Sequence, residues 1–244
     1  MSSRAGQGVL AQLASMRIVP VIVIDDLAAA SPLADALVAG GLRCAEVTLR
    51  TPDAVQAITR LSATAGLLVG AGTVLDPDQV SAVVAAGACF VVSPGFDGEV
   101  VERCQQLGVP VLPGVATPTD MQQARRAGLT AVKFFPAETL GGVAALTAMS
   151  APFPGMAFVP TGGVTPANVG AYLQHGSVLA VGGSWMASRR LIAARDWQQI
   201  GRLSAEAAGL AAGFPAKHTM LAGLTANGQA ASAPAVSGQR EVWP

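Results

Sequence analysis

A side-chain oxygen at the position before a helix, followed by a φ-locked proline at its first turn, marks a helix start. The chain repeats that signal at Ser31-Pro32, Thr51-Pro52, Asp76-Pro77, Thr117-Pro118 and Thr165-Pro166. Glycines that suit helix ends follow at Gly40, Gly87, Gly108, Gly128 and Gly176, and short apolar or β-branched runs come soon after them. Those runs give eight strands, near 18–24, 44–49, 67–73, 90–93, 110–115, 131–135, 157–161 and 178–182, with helices between. Short connections in a βα alternation force parallel strands and right-handed crossovers, and eight units close into an α/β (β/α)₈ barrel. An open doubly wound sheet is the alternative topology. The amphipathic stretch "GVLAQLASM" ahead of the first strand is expected to form an extra N-terminal helix under the barrel. At 244 residues one domain suffices. Residues 1–212 are expected to form the barrel and 213–244, ending "NGQAASAPAVSGQREVWP", a low-complexity C-terminal tail.

Composition narrows the partners. Hydrophobic residues make up 51% of the chain and charged ones 12%, which leaves few charges for a solvated surface and favours oligomerisation. A net charge of zero without a basic cluster argues against nucleic acid or an anionic membrane surface and for a small molecule. "IVPVIVI" is too short to span a bilayer and "MSSRAGQG" lacks the regions of a signal peptide, so a cytoplasmic location is expected. Cys44, Cys89 and Cys104 are odd in number and widely spaced, and read as core thiols. With His175 and His218 the only histidines, no metal site is expected.

Two of the 15 basic residues are lysines, Lys133 and Lys217, and the other 13 are arginines. In so arginine-rich a chain, the lysine of "AVKFFPAE" is best explained by its amine, which can do covalent chemistry that a guanidinium cannot. Strand alternation turns Val132 and Phe134 toward the helices and leaves Lys133 and Phe135 pointing inward. In "CAEVTLR" the same phase puts Ala45, Val47 and Leu49 outside and Glu46, Thr48 and Arg50 inside. An ionisable group inside a barrel is costly unless paired or functional. Glu46 paired with Lys133 or Arg50 as a purely structural ion pair is one reading; an active site is the other. Glycine pairs after the last two strands, Gly162-Gly163 in "PTGGV" and Gly182-Gly183 beside Ser184 in "GGSWM", suit backbone N–H binding of phosphate, although glycines also serve turns.

The stretches "VPVIVI", "EVTLRT", "VGAGTVL", "VSPGF", "LPGVAT", "KFFPAE", "PTGGVTPANV" and "VGGSWM", over roughly residues 18 to 212, resemble the class I 2-dehydro-3-deoxy-6-phosphogluconate (KDPG) and 4-hydroxy-2-oxoglutarate (KHG) aldolases. The resemblance implies a (β/α)₈ barrel, usually a homotrimer, that uses no metal or cofactor and acts on a 2-keto acid phosphate in carbohydrate catabolism of the Entner–Doudoroff type. Lys133 would then be the Schiff-base lysine, Glu46 the general acid/base and Arg50 the carboxylate clamp. Thr73 and Pro94 would line the pyruvate site, Phe135 would pack beside the imine, and Thr161 would face the sugar hydroxyls. Gly162, Gly163 and Ser184 would receive the phosphate. Thr161 leans toward the gluconate rather than the galactonate substrate. A metal-dependent epimerase or isomerase and a non-catalytic sugar-phosphate binder are the rival classes, and the tail beyond 213 departs from the family pattern.

Overall fold

The computed structural model describes residues 4–215, so Lys217, His218 and most of the expected tail lie outside the described residues. Helix α1 (Arg4–Met16) leads into β1 (Ile18–Ile22), and a 3₁₀ turn at Leu27–Ala29 precedes α2 (Ala30–Ala39). Then come β2 (Cys44–Thr48), α3 (Ala54–Ser62), β3 (Leu68–Gly72), α4 (Pro77–Ala85), β4 (Phe90–Val92) and α5 (Gly98–Gln106). β5 (Val111–Leu112) and β6 (Gly114–Val115) flank Pro113, and α6 (Pro118–Arg126) and β7 (Ala131–Phe134) follow. The chain continues through α7 (Gly142–Ser150), β8 (Ala157–Pro160), α8 (Val169–Gln174), β9 (Val181–Gly183), α9 (Arg189–Ala193) and α10 (Trp197–Ala212).

All strand pairs are parallel. One curled sheet runs β5-β4-β3-β2-β1-β9 and a second runs β6-β7-β8, with single bridges Thr161↔Gly182 and Phe158↔Val178 between the end of the second and the last strand. Pro113 has no N–H to donate, which interrupts the expected fifth strand, although its carbonyl still accepts from Lys133 N at 2.9 Å. The eighth strand starts at Val181 rather than 178.

Both faces of the sheet are covered, so β2 is buried along its whole length. Its alternation separates two clusters. Ala45 and Val47 pack with helix residues such as Leu33, Ile58 and Leu61, as do Val132 and Phe134 of β7. Cys44 and Ala131 belong instead to an inner cluster with Val19, Phe90, Val92 and Leu179, which Leu10, Leu13 and Ala14 of α1 complete. Burying each of those leucines contributes about 1.5–3 kcal/mol.

Two expected starts form caps: Asp76 Oδ1 accepts from Gln79 N at 2.8 Å, and Thr117 and Asp120 form a capping box. The other three do not. Ser31-Pro32 lies within α2, one turn after Asp26 caps the 3₁₀ turn; α3 starts behind Asp53, and α8 behind Asn168. Thr51 Oγ1 donates instead to Ile24 O at 2.6 Å. Gly87, Gly108 and Gly128 take the left-handed conformation after their helices; after α2 it is Gly41, not Gly40, that does so.

Arg17 joins α1 to β1 with φ 62 and is buried without a carboxylate partner among the described residues. Its Nη1 donates to Val178 O and Leu179 O at 2.6 and 2.7 Å, Nη2 to Leu173 O at 2.7 Å, and Nε to Phe214 O at 3.0 Å. Burial lowers its pKa, and the four carbonyls take the place of water.

Candidate active site

Lys133 of β7 and Glu46 of β2 lie in different sheets and meet through their side chains: Nζ donates to Oε1 at 3.4 Å, with the two residues 5% and 3% exposed. Removing either partner from such a pair costs about 3–5 kcal/mol, because the remaining charge is stranded. Gly72 makes room for the carboxylate. A Cβ there would overlap Glu46 Oε1 and lie 2.7 Å from Cγ.

Phe135 continues the phase of Lys133, and its ring centroid stands 5.0 Å from Nζ, within range of a cation–π contact. Arg50, just past β2, donates from Nε to Thr73 Oγ1 at 3.3 Å. Thr73 has φ 57, an uncommon conformation for a non-glycine residue that costs on the order of 1–3 kcal/mol and recurs at functional sites. Pro94 lies beside the lysine's neighbour: Gly114 pairs with Lys133, and a Cβ on Gly114 would collide with the Pro94 carbonyl.

A cavity of about 260 Å³ opens beyond this group, lined by Arg50, Phe135, Thr161, Gly162, Gly163, Gly182, Gly183 and Ser184. Lys133, Glu46, Thr73 and Pro94 are not on its lining, so the expected residues form two groups, and Arg50 and Phe135 belong to both. The glycines also have local reasons to be glycine. Gly162 and Gly163 have φ 100 and 81, and a Cβ on Gly163 would lie 2.6 Å from Glu138 Cβ. Gly182 and Gly183 have no room for a Cβ beside the side chain of Thr161 and the ring of Trp185.

Four further residues border this group without appearing among the candidates read from the sequence. Glu138 lies inside "KFFPAE"; its N–H donates to Gly162 O at 3.0 Å, and Ala137 N donates to Thr161 O at 2.8 Å, which straps the loop after β7 to the loop after β8. Tyr172 donates its hydroxyl to the Glu138 carboxylate, and its phenol is pushed up by burial and then by that carboxylate. Arg189 lines the cavity and pairs with Asp25, whose carboxyl the guanidinium holds below the usual carboxylate range. For this last pair, two arginines after "GGSWMAS" and two aspartates after the first strand are the only hints in the chain. Among the described residues no group of three or more His, Cys, Asp or Glu is placed to hold a metal ion, and no helix is long and apolar enough to cross a membrane.

A buried amine touching a carboxylate, next to an arginine and an open cavity with two glycine-rich loops, can bind an anionic ketone and form a covalent imine. Residues 9–203 match the family model described as KDPG and KHG aldolase. A 2-dehydro-3-deoxy-phosphogluconate aldolase of Pseudomonas aeruginosa is 49% identical over 192 residues, which covers 78% of this chain and 87% of that protein. One from Treponema pallidum is 47% identical over 193 residues, 79% of this chain and 92% of its own. Among solved structures, a KDPG aldolase from Legionella pneumophila, with pyruvate captured at low pH as a covalent carbinolamine intermediate, superposes with a TM-score of 0.78 at 41% identity. That match covers 84% of this chain and 98% of the other.

Proposed function

This chain belongs to the KDPG and KHG aldolases, and from that premise we infer that it is a carbon–carbon lyase that cleaves 2-dehydro-3-deoxy-6-phosphogluconate through an imine on Lys133. The products are pyruvate and glyceraldehyde 3-phosphate; 4-hydroxy-2-oxoglutarate, giving pyruvate and glyoxylate, is the second substrate. The observation that carries the assignment of residues is the buried Lys133–Glu46 contact at 3.4 Å within a chain of this family.

Lys133 attacks the C2 ketone as the neutral amine, and loss of water from the carbinolamine leaves a protonated imine that acts as an electron sink. Glu46, acting through a water, takes the C4 hydroxyl proton, the C3–C4 bond breaks, and the same carboxyl returns a proton to the enamine carbon. Arg50 gives its planar donor fork to the C1 carboxylate, and the Thr73 hydroxyl that it bonds holds the fork in place. Thr73 and Pro94 line the pyruvate end, Phe135 packs against the imine, and Thr161 faces the sugar hydroxyls. Gly162, Gly163, Gly182, Gly183 and Ser184 take the phosphate end, supported by their common place on the cavity lining.

The same reading closes the two sheets into one (β/α)₈ barrel, with β5 and β6 counted as a single strand across Pro113 and α1 closing its floor. The Thr161↔Gly182 bridge and the cluster of Leu10 and Leu13 with inner-face residues support it. Residues 1–212 are taken as the catalytic unit and 213–244 as a tail, at whose described start the Phe214 carbonyl accepts from Arg17. The unit works as a cytoplasmic homotrimer, in keeping with a chain only 12% charged.

Borohydride added in the presence of pyruvate should inactivate the enzyme and leave a reduced pyruvyl group on Lys133, read by peptide mass spectrometry. No adduct, or an adduct on Lys217 alone, would overturn the assignment. EDTA should leave turnover intact, and a loss restored by metal would favour a metal-dependent mechanism instead.

A further inference from the structure

Arg189 and Asp25 meet across 164 residues of sequence in a bidentate pair, Nε to Oδ2 at 2.6 Å and Nη2 to Oδ1 at 2.5 Å. A second pair close by in sequence, Arg195 with Asp26, differs in two ways. Neither Arg195 nor Asp26 lines the cavity, whereas Arg189 does. Asp26 also accepts from Ala28 N at 2.9 Å and so caps a turn, while Asp25 accepts from Arg189 alone among the described residues. On the cavity lining Arg189 and Arg50 are the two charged residues, and Arg50 is tied to Thr73 at the pyruvate end. That leaves Arg189, in the segment that follows Gly182, Gly183 and Ser184, as the one lining cation not engaged with Thr73.

We propose that Arg189 determines specificity for the phosphate end of the substrate: Asp25 holds its guanidinium at the cavity edge, and an entering phosphate takes it over from that carboxylate. This role presupposes the aldolase chemistry at Lys133. The planar fork fits two carboxylate oxygens or two phosphate oxygens equally well in geometry. A phosphate monoester brings about −1.5 to −2 charges against the carboxylate's one, so charge favours the exchange. The displaced Asp25 does not have to be buried: the Arg189 and Asp25 side chains are 66% and 42% exposed, and such a pair adds little to stability. The far end of 4-hydroxy-2-oxoglutarate is a single-charged carboxylate on a shorter chain, which has no charge advantage over Asp25, so with that substrate the arginine remains on Asp25.

The two partners predict effects of opposite sign. In Arg189→Ala, kcat/KM for 2-dehydro-3-deoxy-6-phosphogluconate should fall about tenfold, through KM, relative to kcat/KM for 4-hydroxy-2-oxoglutarate, as expected for the loss of a partly exposed charge-assisted contact. In Asp25→Asn the competing carboxylate is gone, so KM for the phosphorylated substrate should fall and inorganic phosphate should inhibit more strongly than in the parent enzyme. Arg189→Lys, which keeps the charge without the fork, should lie between Arg189→Ala and the parent. If the pair merely fastens two loops, both breaks act alike: equal losses for both substrates in both variants, with lowered melting temperatures, would overturn the role. Failure of the parent enzyme to form a borohydride-trapped pyruvate adduct would count against the aldolase reading itself, whereas parallel variants in an enzyme that forms the adduct count against Arg189 alone.

Discussion

Replacing Gly72 with alanine puts a methyl group where the Glu46 carboxylate now lies. Gly72 is not among the glycines with positive φ, so its backbone accepts alanine and the conflict is purely steric. The new carbon would overlap Oε1 and sit 2.7 Å from Cγ and 2.8 Å from Cδ. Carbon atoms rest about 3.5 Å apart, so the glutamate side chain must retreat by about 0.8 Å. Its contact with Lys133 Nζ is already 3.4 Å long, which leaves no slack to absorb the shift. A misplacement of about 1 Å at a reacting group costs on the order of 10²-fold in rate, while overpacking of this kind costs about 1–3 kcal/mol of stability. Gly70→Ala is the matched control: the same strand receives the same methyl group, which there meets the ring of Phe90 instead of Glu46. Turnover, melting temperature and borohydride trapping measured on both variants should show similar destabilisation but a turnover loss of about 10²-fold only in Gly72→Ala. Equal turnover in the two variants would refute the claim that the place of the Glu46 carboxylate sets the rate.

Glu46→Gln should still yield some borohydride-trappable imine with pyruvate, yet exchange the pyruvate methyl protons with solvent more slowly and lose roughly 10²–10⁴-fold in cleavage. An unstable variant with near-normal turnover would instead make Glu46 a structural partner of Lys133. Burial pushes the Cys44 and Cys104 thiols up to about 12, whereas Cys89 is exposed, so iodoacetamide at mildly alkaline pH should label Cys89 in the folded protein and the other two only in denaturant. Comparable labelling of Cys44 in the folded protein would contradict its burial.

What the sequence reveals follows from how local each cause is. The alternation of β2 and β7 is a period-two pattern, so the shared inner face of Glu46 and Lys133 is legible in the order of residues within each strand. The αβ order and parallel pairing follow from connection lengths in the same way. Capping is less local, because a hydroxyl before proline also needs extended backbone and no better acceptor. Thr51 bonds the Ile24 carbonyl instead, and Asp26 starts the turn ahead of Ser31. Cys89 departs from the core-thiol expectation because it falls in the link between α4 and β4, where its side chain is exposed although Ala88 and Phe90 on either side are buried. The pairs Arg189–Asp25 and Glu138–Tyr172 are set by tertiary placement, and no periodicity within either segment announces its partner. Pro113 is plain in the sequence as a proline, but its place as the boundary between two sheets depends on strands far along the chain.

Arg17 has a consequence for the order in which this molecule comes apart. One guanidinium holds carbonyls from the end of α8, from the approach to β9 and from Phe214, at the junction where α1 hands over to β1. The C-terminal end of the first helix therefore cannot detach on its own, and neither can Phe214, since either movement strips a buried cation of its acceptors. In amide-exchange terms, the junction of α1 with β1, the approach to β9 and the segment around Phe214 should open as one cooperative unit, which makes this seam one of the slower-exchanging regions among the described residues.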